Sequence, residues 1–371
     1  MLKVLSVIGT RPEAIKMCPL IKKLESCKKI ESVVCLTGQH REMLQQVIKI
    51  FNIKANYNLD IMRPNQTLTM TTAAILEKID IIYEKEQPDL VLVHGDTTTS
   101  FTAALGAFYH QIPVGHVEAG LRTYDKYSPF PEEMNRVLTS RIAELHFAPT
   151  KKNRDNLYKE GIDKNVYVTG NTVIDAFQMT VRNNYCFKNQ LLERILCNDR
   201  KVILVTAHRR ENVGIGLENI CKAIKKLAGL HSDMDFIYPV HPNPKVRQTV
   251  NTIIGKEKNI YLLEPIDVED MHNLLSRSYL VMTDSGGLQE EAPHFGVPVL
   301  VLRNETERPE AVEAGTVRVV GTDEKIIIET VENLILDQKK YDKMAKSINP
   351  YGDGKASEKI VKHILEWKDN G

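Results

Sequence analysis

The sequence predicts an α/β protein made of two similar doubly wound, Rossmann-like parallel-sheet domains that face a cleft. Three observations carry that expectation. Short apolar, β-branched runs alternate with longer amphipathic ones along the chain, which is the pattern of βαβ units. The runs form two sets of six, separated by a strand-free stretch, 172–200. Titratable residues gather just after the apolar runs, where open parallel sheets hold their ligands.

Taken in order, the strands expected in the first half are "KVLSVIG" (3–9), "SVVCLTG" (32–38), "DLVLVHG" (89–95), "VGHVEAG" (114–120), "LHFAPT" (145–150) and "VYVTGN" (166–171). Those of the second half are "KVILVTAH" (201–208), "DFIYPVH" (235–241), "IYLLEP" (260–265), "YLVMTDSG" (279–286), "VPVLVLR" (297–303) and "VRVVGT" (317–322). The halves echo each other: "FYHQIPVGHVEAGLR" and "EEAPHFGVPVLVLRNE" both read as helix end, short turn, x-Pro, strand and polar loop. The domains expected are 1–170 and 175–350. A helical tail, 355–369, follows the turn-rich "NPYGDG".

A length of 371 residues suits two domains, and 42% hydrophobic with 26% charged residues suits a globular protein. A net charge of +1 gives no electrostatic case for nucleic acid or an anionic membrane. The six cysteines include no Cys-x-x-Cys pair and no zinc spacing, which reads as free thiols in a reducing compartment. The apolar "VLSVIG" is too short for a signal peptide, and no run approaches the roughly 20 residues that span a bilayer. The expectation is a cytoplasmic protein.

The cations Arg11, Lys16, His208, Arg209, Arg210 and Arg308 suit an anion, most simply a phosphate group. Ser285-Gly286-Gly287 precedes a helical segment, where free N–H groups favour phosphate; the same glycines also read simply as a tight turn. Pro293 predicts that this helix is short or kinked. His208, beside Arg-Arg-Glu, also reads as a hydrogen-bonded loop residue. No G-x-G-x-x-G follows the first strand, and no P-loop motif exists, so dinucleotide and P-loop readings fail. Carboxylates accompany the cations: Glu13, Asp96, Glu118, Glu132, Glu133 and Glu291. Some are salt-bridge partners. Those nearest an anionic ligand need another task, proton transfer or acceptance of hydrogen bonds from sugar hydroxyls. A ligand with phosphates and hydroxyls is a nucleotide sugar.

"VIGTRPEAIKMCPLI", "VHGDTTT", "GHVEAGLRT", "SPFPEEMNR", "VTAHRRENVG", "YPVHPNP", "TDSGGLQEEAP", "LRNETERPEAVEAGT" and "NPYGDGKAS" together resemble the non-hydrolysing UDP-N-acetylglucosamine 2-epimerases. The resemblance runs in order from residue 3 to about 365. It implies the two-domain GT-B architecture, with the C-terminal helix packed back on the first domain. It implies interconversion of UDP-GlcNAc and UDP-ManNAc through a 2-acetamidoglucal, without redox cofactor or metal, supplying ManNAc units for cell-surface polysaccharide. By the same resemblance Arg11, His208 and Arg308 hold the diphosphate side, Lys16 helps them, and His208 belongs to the catalytic set. Asp96, Glu118 and Glu132 are the proton-transfer residues, with their faces of the sugar unassigned. Ser285, Gly286 and Gly287 cradle phosphate, and Glu291 takes the ribose hydroxyls. The resemblance further implies a homodimer and a regulatory UDP-GlcNAc site at Gln39, His40, Gln66, Arg209, Glu211 and His241. There the chain departs from some relatives, with Asn65 where they carry Arg before "QTL". The alternatives are a hydrolysing epimerase that releases UDP and ManNAc, a GT-B glycosyltransferase, and a nucleotide-sugar sensor without catalysis.

Overall fold

The computed structural model describes residues 1–38 and 41–370, with 41–43 and 370 described by backbone alone. The chain divides into two compact units, Met1–Met179 with Tyr351–Gly371, and Thr180–Pro350.

The first unit holds a parallel sheet of β1 (Leu2–Ile8), β2 (Ile30–Leu36), β3 (Tyr57–Asn58), β4 (Leu90–His94), β5 (Val114–Val117), β6 (Leu145–Ala148) and β7 (Val166–Val168). Their order is β3-β2-β1-β4-β5-β6-β7. In β1, Val4, Leu5, Val7 and Ile8 are all fully buried, because a parallel sheet is covered by helices on both faces. One layer comes from the helices Leu68–Glu86 and Thr98–Tyr109. Ile75, Ile79, Ile82 and Tyr83 of the first meet Ala103, Ala104 and Ala107 of the second over the sheet. The C-terminal helix Ala356–Asn370 is part of this unit. Asp175 caps it by accepting from the backbone N–H groups of Ala356 (3.1 Å) and Ser357 (2.7 Å), and His363 stacks on Tyr167 at 4.0 Å.

The second unit holds β8 (Lys201–Thr206), β9 (Met234–Pro239), β10 (Ile260–Leu263), β11 (Leu280–Thr283), β12 (Val299–Val301) and β13 (Val317–Val319), all parallel, in the order β10-β9-β8-β11-β12-β13. Its core is built at helical spacing. Leu217, Ile220, Ile224 and Leu227 come from one helix, Val246, Val250 and Ile254 from a second, and Ile327, Val331 and Leu334 from a third.

All twelve strands read from the sequence are present, and 172–200 carries two helices and no strand. The addition is β3, whose two residues are too short to show a period. Pro293 acts as expected: the helix Gly286–Glu291 stops after six residues and becomes a 3₁₀ turn, Ala292–Phe295.

In each sheet the order reverses once, between β1 and β4 and between β8 and β11. A crevice opens at the carboxyl end of such a switch point, and ligands bind there. Among the described residues, no helix is long and apolar enough to cross a membrane. No group of three or more His, Cys, Asp or Glu among them could hold a metal ion. All six cysteines are free.

Candidate active site

At the switch point of the first unit, β1 passes through Gly9 into the helix Arg11–Glu25. A Cβ on Gly9 would lie 2.1 Å from Thr99 Oγ1, so only glycine permits this approach. Glu13 is wholly occupied by the turn. It accepts from the N–H groups of Gly9 (3.0 Å) and Thr10 (2.6 Å), and from the hydroxyls of Thr97 (2.7 Å) and Ser100 (2.9 Å). It ties the starts of two helices together. Arg11 opens the first of them and is half-buried.

Three carboxylates lie on the loops after β4 and β5 and at the start of the next helix. Asp96 follows β4 and accepts from Arg136 Nη2 at 2.5 Å, while its carbonyl accepts from Asn135 Nδ2 at 2.9 Å. Glu118 follows β5 in the left-handed region, with φ +61°. It pairs with Lys16, accepts from Asn171 Nδ2 at 3.0 Å and lies 3.6 Å from His94 Nε2. Burial alone would raise its pKa, but Lys16 and then His94 outweigh burial and hold it well below the usual carboxylate range. Glu118 is therefore ionised at neutral pH. Glu132 is the first residue of the helix Glu132–Ile142 and is half-buried. No hydrogen bond or ion pair reaches its carboxylate among the described residues. Its neighbour Glu133 differs: it is 2% exposed and accepts from the N–H groups of Thr123 (3.0 Å) and Tyr124 (2.9 Å) and from Arg136 Nη1 (3.1 Å). Glu13 and Glu133 are thus structural members of the acidic set.

At the switch point of the second unit, Asp284 follows β11 directly, is fully buried and organises the loop after β8. Its Oδ2 accepts from the N–H groups of His208 (2.7 Å) and Arg209 (2.7 Å) and from Asn212 Nδ2 (3.0 Å). The ring of His208 stacks on His241 at 5.1 Å and keeps Nδ1 3.5 Å from Asp284 Oδ1. Burial lowers its pKa, with Asp284 opposing and the stacked His241 reinforcing, so the imidazole is neutral at pH 7. His208, Arg210, Val213, Asn243, Pro244 and Lys245 line an open pocket of about 740 Å³.

Ser285 is the N-cap of Gly286–Glu291. Neither Gly286 nor Gly287 has a positive φ, so the turn geometry does not require glycine there. What glycine supplies is room. A Cβ on Gly286 would lie 3.7 Å from Arg308 Nη2, and one on Gly287 would lie 3.2 Å from Glu291 Oε1. Ser285, both glycines, Glu291 and Arg308 are therefore one cluster. His272 Nε2 stands 4.0 Å from Glu291 Oε2, and its Nδ1 is 2.8 Å from Thr180 Oγ1.

Of the residues expected at a regulatory site, Gln39 and His40 lie outside the described residues. Gln66 braces its own loop, accepting from Arg63 N (2.9 Å) and donating to the Ile61 carbonyl (2.8 Å). Arg209 follows His208, His241 stacks on it, and Glu211 pairs with Arg303 at 2.6 Å. The sequence did not reveal Arg136, Asn135, Asn171 or His94 as partners of the acids, nor Glu290 as the buried partner of Arg308. "EEMNR" carried a signal, because residues three and four after Glu132 share its helix face.

Two parallel α/β sheets in one chain, each with its polar loops at a switch point, define the GT-B class of two-domain α/β proteins. Within it, a family model for UDP-N-acetylglucosamine 2-epimerase matches residues 22–365. The chain is 52% identical to the UDP-N-acetylglucosamine 2-epimerase of Bacillus subtilis, covering 98% of this chain and 95% of that one. It is 51% identical to the enzyme of that name from Escherichia coli K12, covering 98% of each. The crystal structure of UDP-GlcNAc 2-epimerase from Neisseria meningitidis bound to UDP-GlcNAc is 49% identical with a TM-score of 0.90, covering 98% of this chain and 100% of that one. The chain belongs to the UDP-N-acetylglucosamine 2-epimerase family and is an isomerase.

Proposed function

We propose that this UDP-GlcNAc 2-epimerase works without net hydrolysis, by eliminating UDP and adding it back. The C2–H of the sugar is not beside a carbonyl, so its direct removal is too costly. When the C1–O bond to UDP breaks and its electron pair leaves with the diphosphate, a carboxylate takes the C2 proton and a neutral 2-acetamidoglucal forms. Delivery of a proton to the opposite face of C2, with UDP rejoining C1, gives UDP-ManNAc.

The departing diphosphate needs cations and oriented N–H groups. Arg308, Ser285, Gly286, Gly287 and His208 fill that role, with Arg11 and Lys16 on the first unit, and Glu291 accepts from the ribose hydroxyls. Proton transfer on two faces needs more than one acid/base group. The observation that carries this reading is that Asp96, Glu118 and Glu132 stand in three different settings. Asp96 is paired with Arg136, Glu118 is held ionised by Lys16 and His94, and the Glu132 carboxylate takes no hydrogen bond among the described residues. Three carboxylates in different settings supply the more than one acid/base group that the reaction needs. A nucleotide sensor has no use for that difference.

The test is the product. Incubation with UDP-GlcNAc, followed by anion-exchange chromatography, yields UDP-ManNAc with total nucleotide sugar conserved. UDP and free ManNAc rising in step would replace this reading with a hydrolysing one.

A further inference from the structure

Glu290 is one of two adjacent acids in "GGLQEEAP", and its geometry gives it a task of its own. It is 2% exposed, and its carboxylate receives Nε–H of Arg308, which is itself buried. A guanidinium is a rigid planar fork, so fixing Nε also fixes where both Nη groups lie. With Nε bound to Glu290, Nη2 is the nearest atom to a Cβ built on Gly286, at 3.7 Å, and Nη1 donates to the Glu307 carbonyl at 3.3 Å. The same short helix fixes the Arg308 backbone. Thr306 Oγ1 accepts from Arg308 N (3.1 Å) and donates to Gln289 Oε1 (2.5 Å), and Gln289 Nε2 donates to the Ser285 carbonyl (3.2 Å). Asn349 Nδ2 donates to the Glu290 carbonyl at 3.2 Å. Side chain and backbone of Arg308 are both referenced to the Ser285-Gly286-Gly287 turn.

We propose that Glu290 is a positioning residue for diphosphate recognition: it grips Nε of Arg308 and so holds the guanidinium, through Nη2 and Cζ, against Gly286. This rests on the reading that Arg308 and the turn receive the diphosphate. Because Glu290 balances the charge of Arg308, what Arg308 offers the ligand is aimed hydrogen bonds more than net charge. A lysine has no such fork, only one ammonium. At position 308 its ammonium would be drawn onto Glu290 and away from the ligand.

The test is calorimetric titration of UDP into the full-length protein and its Arg308→Ala, Arg308→Lys, Glu290→Gln and Glu290→Gln/Arg308→Lys variants, with steady-state kinetics beside it. Each single variant binds UDP about tenfold more weakly or worse, and Glu290→Gln raises KM for UDP-GlcNAc more than it lowers kcat. The double variant binds UDP more tightly than Arg308→Lys alone, because the ammonium is released. A Glu290 that only supports the fold would lower the melting temperature and leave UDP affinity intact, which overturns the proposal. Should Glu290→Gln fail to fold, Arg308→Lys decides alone, since wild-type affinity there contradicts it. Unchanged affinity in Arg308→Ala would remove the diphosphate assignment and the proposal with it. Loss in Arg308→Ala with Arg308→Lys and Glu290→Gln unaffected would remove only the proposal.

Discussion

Lys16 and His94 decide the protonation state of Glu118, one of the carboxylates proposed for proton transfer. Burial pushes the carboxyl up, and these two groups pull it further down. A carboxylate depressed in the folded state stabilises the fold above its ordinary range, near pH 4, and that contribution is lost as pH falls through the folded value. Lys16→Met removes the larger opposing charge, so the pKa of Glu118 rises. The acid limb of the kcat/KM profile is expected to move to higher pH by about one unit or more. Glu118→Gln is expected to lose about 10²–10⁴ in kcat with UDP affinity kept. An acid limb that stays in place in Lys16→Met would mean that another group sets it.

The helix Gly286–Glu291 shows what a short element contributes to a ligand site. Its two glycines are the first two helical residues, and no positive φ requires them. Gly287→Ala is therefore expected to keep or raise the melting temperature. It is also expected to weaken UDP binding severalfold, because the new Cβ lies 3.2 Å from Glu291 Oε1 and must displace it. Unaltered UDP affinity would show that the turn does not approach the ligand. The strands around this helix were legible because each is an apolar run buried on both faces. Their ends were read too long, as at 279–286, where the strand is Leu280–Thr283 and Asp284 and Ser285 already belong to the loop and cap. β3 left no signal in two residues. The polar loops that carry the candidate site residues were legible as titratable residues crowded behind apolar runs. The pairings were not, because they join positions far apart in sequence: Lys16 with Glu118, Asp96 with Arg136, Glu290 with Arg308. Glu13 and Glu133 differ: several of their partners are local, Gly9 and Thr10 for Glu13 and Arg136 for Glu133, and the hydrogen bonds rather than the residue types mark them as structural.

On the scale of the whole molecule, Asp96, Glu118 and Glu132, the carboxylates proposed for proton transfer, belong to the first unit, and the Ser-Gly-Gly turn with Arg308 belongs to the second. Control by substrate is proposed at the same scale. Gln66, Arg209, Glu211 and His241 are the described residues of the regulatory set, and Asn65 is the departure from it. If a second UDP-GlcNAc binds there, coupling between sites gives a sigmoidal rate curve, and UDP-ManNAc alone turns over only after UDP-GlcNAc is added. A hyperbolic curve together with turnover of UDP-ManNAc alone would eliminate the second site. The central claim is that C2 loses its proton and regains one from solvent-exchangeable groups while UDP is detached. Proton NMR of UDP-GlcNAc incubated with the enzyme in deuterated water tests it most directly. UDP-ManNAc is expected to form with deuterium at C2, and UDP-ManNAc that keeps its original C2 proton would contradict the account.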